Sequence, residues 1–144
     1  MSTRAFYTFI GGPNEPKLHV YIHGDGYPTG ALDFFKKTLP YAWPLPRFEH
    51  DEFAAAFIAA NKLDHNGKPL PGGVRLFPSS DDWSKHAPVG IQFRYEISHD
   101  WTDLIVKAFT VHFKPDDKDA GELLFQGPLA KFEAWAKSKK NTAG

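Results

Sequence analysis

The chain has 144 residues, of which 42% are apolar, 24% charged and 15% aromatic, and it contains no cysteine. That is the size and makeup of one globular domain able to bury a core unaided; it excludes disorder, a coiled coil and any thiolate chemistry, whether zinc site or nucleophile. Seventeen basic residues cancel seventeen acidic ones, so charge gives no support to a nucleic-acid partner or a membrane surface.

Residues 4–10 are rich in Phe, Tyr and Thr and predict a first strand. The turn cluster Gly11-Gly12-Pro13-Asn14-Glu15-Pro16 leads into residues 17–23, where Leu18, Val20 and Ile22 alternate with His19, Tyr21 and His23. The two strands read as a β-hairpin. Gly24-Asp25-Gly26-Tyr27-Pro28 ends it, with Asp25 as turn cap and Gly26 supplying a positive φ. Thr29 is the expected N-cap of a helix running to Leu39, with Lys36 and Lys37 near its C-terminal end and Pro40 stopping it.

Pro40, Pro44 and Pro46 forbid a helix interior between residues 40 and 48. The expected structure there is a stiff, extended connection carrying Tyr41, Trp43 and Phe48. His50 or Asp51 opens a second helix over 52–62, with Phe53, Ala56, Phe57 and Ala60 on one face. Residues 74–77 predict a short strand. Residues 91–98 alternate without a break and give the strongest strand pattern in the chain. His99-Asp100-Trp101-Thr102-Asp103 connects them to a strand over 104–114, as a second hairpin. A charged turn follows, then a strand over 122–126 and a helix opened by Pro128, with Leu129, Phe132, Trp135 and Ala136 as its apolar stripe. The whole reads as an α+β domain: a mainly antiparallel sheet of about five to six strands, in two hairpin units, with about three helices packed on one face.

The chemistry-bearing residues are few. His19 and His23 share a strand face but lie about 13 Å apart along it, too far to chelate one ion. On a helix that i, i+4 spacing would chelate, but no His-Glu-x-x-His helix is present, and residues 116–122 lack the ligand spacing of a calcium loop. The expectation is no metal and no cofactor. His23 with Asp25, His50 with Asp51, and His99 with Asp100 are candidate acid–base pairs. No nucleophile elbow, phosphate-binding loop or dinucleotide fingerprint is present.

The stretch Tyr21-Ile22-His23-Gly24-Asp25-Gly26-Tyr27-Pro28, set between an N-terminal strand and a helix, resembles a group of small uncharacterised bacteriophage and prophage proteins carrying Tyr-x-His-x-Asp-Gly-Tyr-Pro. The resemblance covers residues 5–39 and implies a mobile-element origin, without a mechanism.

Three functions follow as expectations. The first is a non-enzymatic cytoplasmic binder that docks on a protein partner, such as an inhibitor of host defence, through Asp25, Tyr27, Tyr41, Trp43, Trp83 and Trp101. The second is a small-molecule or nucleotide site, or a hydrolase, in which His19, Tyr21 and His23 line a pocket with His99 and Asp100. The third is a virion or assembly protein that associates through a sheet edge or an aromatic patch. The N-terminal residues lack a signal peptide's apolar run, and no stretch reaches the roughly 18–20 apolar residues of a membrane span.

Overall fold

Period-two alternation sorts the strand residues into two sets, and the structure buries both. The computed structural model describes residues 3–77, 90–111 and 121–138. In chain order the elements are β1 (Arg4–Phe9), β2 (Leu18–Ile22), α1 (Pro28–Thr38), a 3-10 turn (Leu39–Tyr41), α2 (His50–Asn61), β3 (Val74–Phe77), β4 (Ile91–His99), β5 (Leu104–Thr110), β6 (Leu123–Pro128) and α3 (Leu129–Ser138). The strands and α-helices follow the order read from the sequence; the 3-10 turn does not, since the expected extended connection after α1 instead turns at Leu39–Tyr41 and again at 44–47. The predicted end of the second long strand at 112–114 and most of the charged turn lie outside the described residues, as does Trp83.

The six strands form one sheet in the order β3-β2-β1-β4-β5-β6. Each neighbouring pair is antiparallel except β1 with β4. The two hairpins are therefore joined through their first strands in parallel. Between β1 and β4 the chain passes through both helices, the kind of long crossover that a parallel pair requires.

Tyr7, Phe9, Val20, Tyr95, Ile97, Val106 and Ala108 form one face of the sheet and share a core with Phe35 of α1, Phe57 of α2 and Phe132 of α3. All three helices thus cover the same face. Phe35 is the hub. Its ring meets Tyr7 at 5.9 Å, Phe57 at 6.1 Å, Tyr95 at 6.2 Å and Phe132 at 5.8 Å, so one side chain links both central strands and all three helices. On the opposite face Phe6, Tyr21 and Ile91 form a smaller buried cluster flanked by Phe77 and Val111.

The helix starts differ from expectation. α1 begins at Pro28, with extended Tyr27 as N-cap and no side-chain cap bond; proline at the first position removes one orphan N–H. Thr29 does not cap. α2 begins at His50 after Glu49, and the carboxylate of Asp51 accepts from the Glu52 amide one residue on instead of capping from outside.

Two buried phenols mark the core. Tyr7 and Tyr95 stack at 5.3 Å. Burial pushes both well above the ordinary tyrosine range, with the Asp25 carboxylate adding to the effect at Tyr7 and the Tyr7 phenol adding to it at Tyr95. Below pH about 10 both phenols keep their protons folded or unfolded, so their stabilisation is complete. Above it the unfolded chain ionises first, and stability falls by about 1.4 kcal/mol per pH unit per buried phenol until the folded-state value is passed. In an alkaline titration the tyrosinate absorbance of Tyr7 and Tyr95 is expected to appear only with loss of far-UV circular dichroism. Ionisation of all five tyrosines in a chain with native dichroism would contradict it.

Candidate functional site

The connection from α1 to α2 is too rich in proline to fold back into regular structure. It runs along the outer side of α2 and turns at residues 44–47, where the Arg47 amide donates to the Pro44 carbonyl at 3.1 Å. Four large apolar side chains stay outside: Leu39, Tyr41 (57% exposed), Trp43 (48%) and Leu45. Trp43 is held in place despite its exposure. Its indole N–H donates to Glu52 Oε2 at 2.6 Å, and the Arg47 guanidinium lies over its ring at 3.7 Å. Arg47 in turn gives two hydrogen bonds to Glu49 Oε1, at 3.1 Å from Nε and 3.0 Å from Nη2.

Trp43 separates two depressions. One, of about 220 Å³, lies between the ring and Leu45, Phe48 and Phe53. The other, of about 700 Å³, lies between Tyr41, Trp43 and the small side chains of Ala55, Ala56 and Ala59 on α2. Phe48 carries the aromatic surface onward. It stacks on His99 at 4.7 Å, and His99 meets Trp101 edge-on at 5.1 Å. The end of β4 is thereby joined to the α1–α2 connection.

Trp101 is 82% exposed and has φ +75°, a conformation that disfavours a bulky side chain. The turn holds it there: Asp100 Oδ1 accepts from the amides of Thr102 at 3.1 Å and Asp103 at 2.8 Å. Those bonds, Asp103's first, keep the Asp100 carboxyl below the usual range. The Arg47 guanidinium, which donates two hydrogen bonds to Glu49, lowers that carboxyl too. Both groups stay anionic at neutral pH.

The remaining sequence candidates lie elsewhere. Asp25 and Tyr27 stand at the β2–α1 connection, by the end of β2 that pairs with the start of β1. There Asp25, not Gly26, takes the positive φ, at +56°. Gly26 is needed for a different reason: a Cβ would meet that of Ala5 at 2.5 Å. Gly30 gives way to the Asp25 carbonyl, which a Cβ would approach to 1.9 Å. The Gly26 amide donates to Thr3 O at 2.8 Å, and the Tyr95 phenol donates to Gly26 O at 2.7 Å. Most of the motif thus serves to dock a tight turn on β1 and β4; Tyr27 reaches back to Asp25 through a long 3.4 Å hydrogen bond.

The pocket expected from His19, Tyr21, His23, His99 and Asp100 is not assembled. His19 is buried against Phe6 at 5.3 Å and bonds Thr8 Oγ1 through Nδ1 at 2.9 Å. Tyr21 Oη meets His23 Nδ1 at 2.8 Å on the same face. His99 belongs to the other face, with Tyr95 and Ile97, and it and Asp100 sit at the far end of β4 from His23. His23 instead joins Asp25, Lys37, Asn61, Asp64 and His65 around a separate hollow of about 460 Å³. Asn61 lines it, and Asn61 Oδ1 is buried without a hydrogen-bond partner. Among the described residues no group of three His, Asp or Glu side chains is placed to hold a metal ion, and no helix is long and apolar enough to cross a membrane.

Comparison with protein families, with curated proteins and with solved structures finds no match for this chain.

Proposed function

We propose that the chain is a non-enzymatic docking protein that binds a protein partner through the surface running from Tyr41 and Trp43 across Phe48 and His99 to Trp101. One observation carries this reading. Exposed Tyr41, Trp43 and Trp101 come from two distant segments that half-buried Phe48 and His99 join, a hydrogen bond holds Trp43 outward, and a strained turn does the same for Trp101. Exposed aromatic surface of this kind marks interaction sites, and tryptophan and tyrosine are the usual anchors of interfaces because they combine contact area with a polar handle. The finer form of the proposal, a phage-borne inhibitor of host defence acting in the cytoplasm, has its support in the residue 21–28 motif alone.

The test is capture from bacterial lysate with tagged chain, identification by mass spectrometry, and reconstitution of the complex from purified components. A stoichiometric partner that the Trp43→Ala variant no longer holds is the expected result. A partner held equally by Trp43→Ala, or a bait that stays clean, would sink the proposal. A second reading, a small-molecule site, is favoured by the unpartnered Asn61 Oδ1 at the hollow beside His23. It predicts a ligand retained in native mass spectra and lost on Asn61→Leu.

A further inference from the structure

The Trp43 ring is already occupied by a cation. Arg47 lies over it at 3.7 Å, with its Nε and Nη2 on Glu49 Oε1 and Glu52 Oε2 at 3.9 Å. The same Glu52 oxygen accepts from the indole N–H. An aromatic plane beneath and carboxylates at the edge are what a planar guanidinium needs, since it stacks on π faces and pairs with carboxylates through two N–H groups at once.

From this we infer that the docking surface takes a basic protein segment, and that an arginine of that segment replaces Arg47 on the Trp43 ring. The inference rests on the docking reading above and names the partner's chemistry.

Two further features point the same way. Among the described residues, the segments that carry this surface are negative although the chain is neutral: Glu49, Asp51, Glu52, Asp100 and Asp103 stand against Arg47, while Glu15 and Lys17 of the adjoining β1–β2 turn cancel. A basic segment is therefore drawn to this face and an acidic one repelled. The contact of Arg47 is also displaceable. Its side chain is half exposed, as are those of Glu49 and Glu52, and exposed ion pairs are held weakly. Arg47 keeps the ring covered until an arginine arrives with additional contacts in the grooves on either side of Trp43.

The experiment uses the full ¹⁵N-labelled chain and three capped hexapeptides that alternate proline with arginine, lysine or glutamate. The readout is the indole N–H resonance of Trp43, assigned with Trp43→Phe. The arginine peptide is expected to shift that resonance with saturation, the lysine peptide to bind several-fold more weakly, and the glutamate peptide to leave it unmoved. Arg47→Ala is expected to tighten arginine-peptide binding about two- to fivefold by clearing the ring. Glu49→Gln with Glu52→Gln is expected to weaken it about five- to tenfold. These positions are on the surface, so thermal melts of the variants should stay near that of the parent.

Equal binding of the lysine peptide, preference for the glutamate peptide, or weaker binding after Arg47→Ala each overturns the inference. A cellular partner lost on Trp43→Ala but indifferent to Glu49→Gln with Glu52→Gln and to high salt overturns the arginine inference and leaves the docking reading standing. A partner indifferent to Trp43→Ala removes both.

Discussion

Phe35→Ala is expected to destabilise the fold by about 3–5 kcal/mol, the range for deleting a fully buried phenylalanine. Phe35 has no solvent exposure, and its ring touches partners on β1, β4, α2 and α3. The cavity left by truncation would be walled by other rings, whose flat faces cannot collapse into it without leaving their edge-to-face contacts. Domains of this kind have only about 5–15 kcal/mol in total, so the variant should be marginal at room temperature. Phe34, one residue along, is half-buried, and among the described residues its ring meets the rings of Tyr7 and Phe57, at 6.2 and 6.4 Å; Phe34→Ala should cost no more than about 1–2 kcal/mol. Urea unfolding of the two variants measures the difference. A Phe35→Ala loss no larger than that of Phe34→Ala would mean that the three helices do not share one core.

Most of that core was legible in the sequence because its signals are local. The alternation over residues 91–98, the apolar stripe of Phe53, Ala56, Phe57 and Ala60, and the turn clusters between them yield every described strand and α-helix in its observed order. What could not be read is the pairing of β1 with β4, a contact across about ninety residues of chain that no local pattern encodes. Nor could the hinge at Asp25 be assigned. Both Gly24 and Gly26 are better suited to positive φ, yet close approach of the chain to Ala5 and Thr3 fixes Gly26 for its missing Cβ and leaves Asp25 to turn the backbone.

The scattering of the histidine pocket had a signal in the sequence. His19, Tyr21 and His23 alternate with the apolar residues of their strand, whereas His99 falls in phase with Tyr95 and Ile97. If both apolar sets face the same helices, parity alone puts His99 on the opposite side from the other two histidines. The Arg47–Trp43 stack had no such signal. It depends on the chain reversing between residues 44 and 47 and on the first turn of α2 presenting Glu52 to the indole N–H at the edge of the ring. Sequence reading named Trp43 as a binding candidate and missed Arg47, Glu49 and Glu52, the groups that define what the ring could recognise.

Trp101 should separate stability from binding more sharply than any other position. At φ +75° a residue with a Cβ carries a strain of about 1–2 kcal/mol that glycine escapes. Trp101→Gly is therefore expected to be more stable than Trp101→Ala by about 1 kcal/mol, after allowance for the greater freedom of glycine in the unfolded chain. Both variants remove the ring that stands 82% exposed at the edge of His99. If Trp101 anchors the partner, both should lose binding alike, by about 2 kcal/mol or roughly thirtyfold. Chemical denaturation gives the first comparison, and titration calorimetry against the captured partner gives the second. A turn shaped only for folding would have favoured glycine or asparagine at this position. A strained tryptophan held toward solvent by the Asp100 hydrogen bonds makes sense if the ring is used, and strain of this kind concentrates where side chains act on ligands. Full partner affinity in the glycine variant would return Trp101 to the status of an incidental surface residue and confine the docking surface to Tyr41, Trp43 and the grooves beside them.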